Sequence, residues 1–182
     1  MGGPMSVNDR LPWIPKVISL IQQAVTADIP VLGHCLGGQL MSKALGGTIT
    51  PNRSKEIGWL PVETVESPLA REWLGELPPR FEVFHWHGET FSLPLGATPI
   101  LKSRACRNQA FVLGKHLAFQ CHIEMTPALV RSWIRTGTDE ITHPSSTVQG
   151  PQRLRTNLAV RTERLHRVAD VFYERWITGL KK

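Results

Sequence analysis

The chain has 182 residues, 41% of them hydrophobic and 20% charged, which fits one globular domain with its own core and excludes a disordered chain, collagen, a coiled coil or two large domains. The formal charge of +6 is gathered in the C-terminal third, interleaved with acidic residues and without stacking aromatics, so no nucleic-acid partner is expected. No apolar run reaches the roughly 18 residues of a membrane span and no signal-peptide layout is present, so a cytoplasmic location with no membrane contact is expected.

Fourteen prolines and fifteen glycines cut the chain into short segments, a pattern that favours a mixed α/β fold. Residues 13–25 place Ile14, Val17, Ile18, Ile21 and Val25 on one helical face, entered through Pro12 and Pro15. Residues 29–33 read as a short apolar strand buried on both faces. Helical spacing returns over 36–45 and stops at Gly46-Gly47. Further strands are expected at 81–86 and 99–102, followed by a hairpin of 110–113 and 117–122 about Gly114-Lys115. The polar stretch 137–150 reads as a connector or a cover over a site. An amphipathic helix over about 152–178 closes a single domain spanning residues 1–182.

Between the first strand and the second helix stands Gly33-His34-Cys35-Leu36-Gly37-Gly38-Gln39. Glycines two before and two after a nucleophilic residue are the pattern of a strand-to-helix elbow, where a sharp turn brings backbones too close for a Cβ. The helix start offers unpaired N–H groups and a partial positive charge, which favour a thiolate and can receive an oxyanion. A small buried cysteine in an ordinary βα turn would explain the same letters. Further on, His122 and Glu124 are two apart, and on an extended strand that spacing turns both side chains to one side. The carboxylate can orient the imidazole, which can take the thiol proton and return it to a leaving amine. A lone His-x-Glu would otherwise be a surface ion pair.

Together, Gly33-x-Cys35-x-Gly37-x-Gln39 and the late His122-x-Glu124 resemble the class I glutamine amidotransferases. The resemblance extends to Gly2-Gly3-Pro4-Met5-Ser6, Lys55-Glu56-Ile57-Gly58-Trp59, His85-Trp86-His87-Gly88-Glu89 and Asn108-Gln109-Ala110-Phe111, which look like the stand-alone, GMP-synthetase-like branch. It implies a flavodoxin-like three-layer α/β/α fold with a mostly parallel central sheet and helices on both faces. A catalytic triad of Cys35, His122 and Glu124 is implied, with oxyanion donors at the backbone of Gly3 and Leu36 and a glutamine pocket lined by Gln39, His85, Trp86, His87 and Gly88. Glutamine would be hydrolysed to glutamate and ammonia without a cofactor. Ile123 stands where the family usually has proline, and Cys121 where it has an aromatic residue. Such domains normally carry a strand-helix-strand portion before the Gly-Gly-Pro loop, so this chain is expected to be N-terminally incomplete, with poor solubility or a homodimer as the consequence.

Two further readings share the fold: a hydrolase of γ-glutamyl peptides or conjugates using the same triad, and a catalytically silent regulatory module. No phosphate-binding G-x-x-x-x-G-K-[ST] loop occurs, so any ammonia acceptor is expected to be a separate synthetase protein. His85-x-His87, with His34 and His122, is set aside as a metal site because no carboxylate or second cysteine completes the spacing in sequence. His116 and His143 are expected at the surface, His166 beside the last helix, and Cys106 and Cys121 in the packing. Met1-Gly2-x-x-x-Ser6 matches the myristoylation pattern in letters, but the oxyanion loop explains the same residues.

Overall fold

The computed structural model describes residues 3–180; Met1 and Gly2, with the myristoylation pattern and the first glycine of the Gly-Gly-Pro loop, lie outside them. Six strands form one sheet in the order β1-β6-β5-β4-β2-β3. They are β1 (Leu32–His34), β2 (Ile49–Thr64), β3 (Arg80–Phe91), β4 (Thr98–Lys102), β5 (Ala110–Leu113) and β6 (His116–Phe119). The helices are α1 (Trp13–Thr26), α2 (Leu36–Ala44), α3 (Pro68–Leu74), α4 (Pro127–Thr136), α5 (Thr138–Ile141), α6 (Pro151–Arg155) and α7 (Leu158–Thr178).

Alternation along the central strands sends side chains to two separate cores. Phe111 and Ala118 pack with Ile14, Ile21, Leu40 and Met41 under α1 and α2. Ala110, Val112, Leu117 and Phe119 pack instead with Leu165, Val168 and Phe172 of α7. This is the expected three-layer α/β/α arrangement. The expectation of a mostly parallel sheet is corrected: among the described strands only β1 and β6 run parallel, and the other ladders are antiparallel. Parallel neighbours need a crossover of a dozen or more residues, whereas β5 returns to β6 through the tight turn at Gly114, whose φ is 56°.

The end of α2 follows from its glycines. Gly46 adopts φ 88°, Gly46 N–H donates to the Lys43 carbonyl at 3.2 Å and Gly47 N–H to Ser42 at 2.8 Å, the paired bonds of a Schellman cap. At the C-terminus the single helix expected over 152–178 is broken. Asn157 takes a left-handed conformation (φ 52°, ψ 33°) between α6 and α7, which an asparagine tolerates. The break leaves the Leu154 carbonyl to accept the Trp59 indole N–H at 3.1 Å. Strand β2 has no counterpart in the sequence reading, because Pro51 and Pro61 interrupt its pattern. Strand β1 is shorter than expected, and Ile29 is half exposed.

Candidate active site

Cys35 sits at the join of β1 and α2 with φ 51° and ψ −108°, one of three non-glycine residues with positive φ among the described residues. Such a backbone costs on the order of 1–3 kcal/mol and persists only where the surroundings impose it. Here they do. The Cys35 N–H donates to the Phe119 carbonyl at 2.8 Å, and a Cβ on Gly33 would stand 2.5 Å from the Gly37 carbonyl carbon and oxygen. Gly38 is equally constrained, since a Cβ there would lie 2.3 Å from the Phe119 carbonyl oxygen. The turn is therefore clamped against β6, and Cys35 lines a cavity of about 380 Å³ together with Gly3, Trp86, His122, Trp133, Gly137 and Glu140.

The histidine arrives by a route the hairpin pattern does not show. β6 ends at Phe119, three residues short of the expected strand, and the chain crosses to β3, where His122 and Phe84 exchange backbone hydrogen bonds of 2.8 and 3.2 Å. That bridge fixes the His122 main chain, and the Trp133 indole meets its ring edge-on at 4.8 Å. The two-residue spacing still places both side chains on one side: His122 Nδ1 and Glu124 Oε1 are 2.6 Å apart. Burial alone would depress the His122 pKa, but the Glu124 carboxylate and Cys35 outweigh it and raise the imidazole to about 10. Burial opposes the Glu124 charge in turn, and His122 prevails, lowering the carboxyl to about 2. His122 Nε2 has no hydrogen-bond partner among the described residues. The Cys35 Sγ faces the Trp86 carbonyl at 3.9 Å and Gln120 Nε2 at 3.8 Å.

A second cavity of about 250 Å³ opens on the other side of Cys35, lined by Gly3, Gln39, Lys55, Trp86, His87, Gly88, Glu89 and Glu140. Leu36 opens α2, so its N–H lacks a helical partner, and Gly3 lies against it, a Cβ on Gly3 falling 3.0 Å from Leu36 Cδ2. Cys35, His122, Glu124, Gly3, Leu36, Gln39, Trp86, His87 and Gly88 are thus gathered in one region. His85 is not. It is fully buried and lines neither cavity, a correction to the expected pocket, and burial depresses its pKa to about 4.

Among the residues of the site and its surroundings that escape the sequence reading are Trp133, Gln120, Glu140 and Tyr173. Gln120 is fully buried between the elbow and the pocket, accepting from Gln39 Nε2 at 3.2 Å while its own Nε2 faces the sulfur. Glu140 accepts from the Trp86 indole at 3.0 Å and from Lys55 Nζ at 2.8 Å, so the polar stretch after α4 does cover the cavity. Tyr173 reaches His34, the neighbour of Cys35, from α7. Only the position of Gln120 directly ahead of Cys121-His122 could have signalled it. The metal reading is also revised in its particulars, because folding brings Glu56 and Cys106 to His87 with their donor atoms within 4.8 Å. Those atoms are already engaged: Glu56 Oε2 with Gln109 at 2.7 Å and His87 at 3.2 Å, Cys106 Sγ with Thr90 at 3.2 Å. Burial works against the Glu56 carboxylate, but His87, His85 and Ser103 outweigh it and lower its pKa. His116 is buried rather than exposed, and its Nδ1 accepts from the Val31 N–H at 3.2 Å.

Comparison with known proteins gives a consistent answer. The model of the family described as glutamine amidotransferase class-I matches residues 1–135. The chain is 34% identical over 146 residues to YfeJ of Salmonella typhimurium, a glutamine amidotransferase-like protein, covering 77% of this chain and 61% of that one. It is 39% identical over 79 residues to the glutamine-hydrolyzing GMP synthase of Neisseria meningitidis, covering 43% of this chain and 15% of the synthase. Among solved structures, a glutamine amidotransferase from Methylobacillus flagellatus shares 46% identity at a TM-score of 0.94, covering 98% of this chain and 74% of that one. One from Thermotoga maritima shares 32% at 0.86, covering 97% of this chain and 75% of that one. No helix among the described residues is long and apolar enough to cross a membrane.

Proposed function

We propose, since this chain belongs to the class I glutamine amidotransferase family, that it hydrolyses the side-chain amide of glutamine to glutamate and ammonia. The observation that carries the reading is the strained Cys35, which lines the same cavity as His122, whose imidazole is held from behind by Glu124. His122, held as the imidazolium by Glu124, already carries on Nε2 the proton that the Cys35 thiol gives up, and the thiolate attacks the carboxamide carbon. The backbone N–H groups of Leu36 and Gly3 receive the oxyanion. His122 returns its proton to the departing nitrogen, ammonia leaves, and a thioester remains. Water then gives a proton to His122 and its oxygen to the acyl carbon, and the regained proton restores the imidazolium beside the thiolate as glutamate departs. Glu124 touches no reacting atom; it holds the ring and stabilises the imidazolium.

Ammonia made here goes to an acceptor on a separate synthetase protein, as the resemblance to the amidotransferase part of GMP synthase suggests. Steady-state glutamine hydrolysis by the purified chain tests the reading. Turnover abolished in Cys35→Ala and in His122→Ala is expected, and undiminished turnover in Cys35→Ala would refute it.

One observation favours a second reading. The Trp86–Trp133 side of Cys35 is larger than ammonia requires, room that a leaving amine of a γ-glutamyl conjugate would fill. A higher kcat/KM on γ-glutamyl dipeptides than on glutamine would select that substrate class with the same residues.

A further inference from the structure

Glu124 has two oxygens, and the chemistry above uses one. Oε1 holds His122 Nδ1 at 2.6 Å. Oε2 is buried, without a hydrogen-bond partner among the described residues, and His34 Nδ1 stands 3.4 Å from it. An unbraced carboxylate is free to rotate about its last torsion, and rotation would take Oε1 off the imidazole. What holds the second oxygen therefore bears on how well the first is placed.

The His34 ring is itself fixed on three sides. It stacks on Phe119 with centroids 5.1 Å apart and planes 7° from parallel, and it meets Tyr173 edge-on at 6.0 Å. Its Nε2 lies 3.0 Å from the Tyr173 hydroxyl. On the Nδ1 side stands the Glu124 carboxylate, its Oε2 3.4 Å away. With the Glu124 carboxylate facing Nδ1 and the Tyr173 hydroxyl facing Nε2, a proton on Nδ1 and a lone pair on Nε2 suit both neighbours, and in that tautomer Tyr173 O–H donates to Nε2. Burial keeps the ring neutral at neutral pH, its pKa depressed to about 4. Tyr173 comes from α7, beyond the 135 residues that the family model matches.

We infer that Tyr173 and His34 are positioning residues of the active site, a relay Tyr173–His34–Glu124–His122 in which the C-terminal helix sets the carboxylate that orients the catalytic imidazole. The inference rests on the proposed triad. His34 is next to Cys35 in sequence, yet in the relay it acts on the opposite end of the triad.

Three variants of the full chain test the relay: Tyr173→Phe, His34→Phe and His34→Asn. Phenylalanine at 34 keeps a ring for Phe119 but loses both nitrogens; asparagine restores an N–H near the place of Nδ1–H. With glutamine, Tyr173→Phe and His34→Phe are expected to lower kcat roughly ten-fold at unchanged KM, the loss that follows from one support of a buried network. His34→Asn should recover part of that loss, and Tyr173→Phe should add little in a His34→Phe background, because residues in series do not act additively. A readout independent of turnover is the downfield proton resonance of the short His122–Glu124 hydrogen bond, expected to shift or broaden in both phenylalanine variants. Unchanged kcat and unchanged resonance in folded Tyr173→Phe would overturn the relay, as would a rise in KM alone. Should the wild-type chain hydrolyse neither glutamine nor γ-glutamyl dipeptides, the functional reading fails, and the response of that resonance decides the relay by itself.

Discussion

The indole N–H of Trp86 donates to Glu140 Oε1 at 3.0 Å, tying strand β3 to the short helix α5 at the rim of the cavity beside Cys35. Lys55 holds the other oxygen of the same carboxylate. Exposed pairs of this kind contribute at most about 1 kcal/mol to folding, so the contact matters more for the shape of the rim than for stability. Glu140→Ala is expected to raise KM several-fold with kcat within about two-fold of wild type. Steady-state kinetics on the variant check this; an unaltered KM would show the rim to be indifferent to the latch.

Cys35 combines a strained backbone with the only cysteine sulfur lining either cavity at the site among the described residues. Cys121 and Cys106 are enclosed, and burial raises both thiols, Cys106 to about 11. A glutamine-like electrophile should therefore modify Cys35 in the folded protein and spare the other two. Peptide mapping after brief labelling reads the outcome, and equal modification of the three would contradict it. Cys35→Gly should also unfold at higher denaturant than Cys35→Ala, by about 1 kcal/mol, because glycine adopts positive φ without strain.

The elbow makes a steric prediction that separates two glycines. At Gly38 an added methyl would meet the Phe119 carbonyl oxygen at 2.3 Å, a backbone atom that cannot swing aside. At Gly46 nothing lies within 4 Å, and only the φ of 88° resists a side chain. Gly38→Ala is thus expected to cost about 3 kcal/mol or more, and Gly46→Ala about 1–2 kcal/mol. Urea unfolding of the pair tests the ranking; a reversed order would mean that β6 does not press on the elbow as described.

Stability should peak near pH 6.5. Burial lowers the folded pKa values of His34 and His85 to about 4 from an ordinary 6.5. The unfolded chain therefore binds the extra protons first, and stability present above pH 6.5 is lost as pH falls toward 4. His122 runs the other way: its folded value of about 10 lies above 6.5, so the stability it contributes is complete below pH 6.5 and is lost as pH rises toward 10. Glu124, lowered to about 2, adds a further loss below its ordinary value of 4.5. Thermal melts across pH 4 to 10 should give a dome, and Glu124→Gln should flatten its alkaline side. A monotonic profile would reject the assigned charge states.

Much of the site was legible because its parts are local. The elbow at residues 33–39 declares itself through glycine spacing, and the His122–Glu124 contact through a two-residue interval that survives even though the strand expected there ends early. Gln120, Glu140 and Tyr173 were not legible, since each is an ordinary letter until chain crossings and helix packing carry it to the cavity or its surroundings. His85 shows the converse: its motif suggested a pocket residue, and the fold buries it.

The local chemistry was written in the chain itself: which residue could turn sharply with a sulfur at the bend, which imidazole had a carboxylate within reach, and that short strands and helices would mix, while the layering of helices over the sheet came from the family resemblance. What those pieces face depended on packing, which places His122 through its bridge to Phe84, closes the cavity with Glu140 and brings Tyr173 against His34. The division follows distance along the chain. Backbone strain and side-chain spacing are set by neighbours a few residues away, whereas the environment of a buried polar atom is set by elements that meet only when the whole chain has packed.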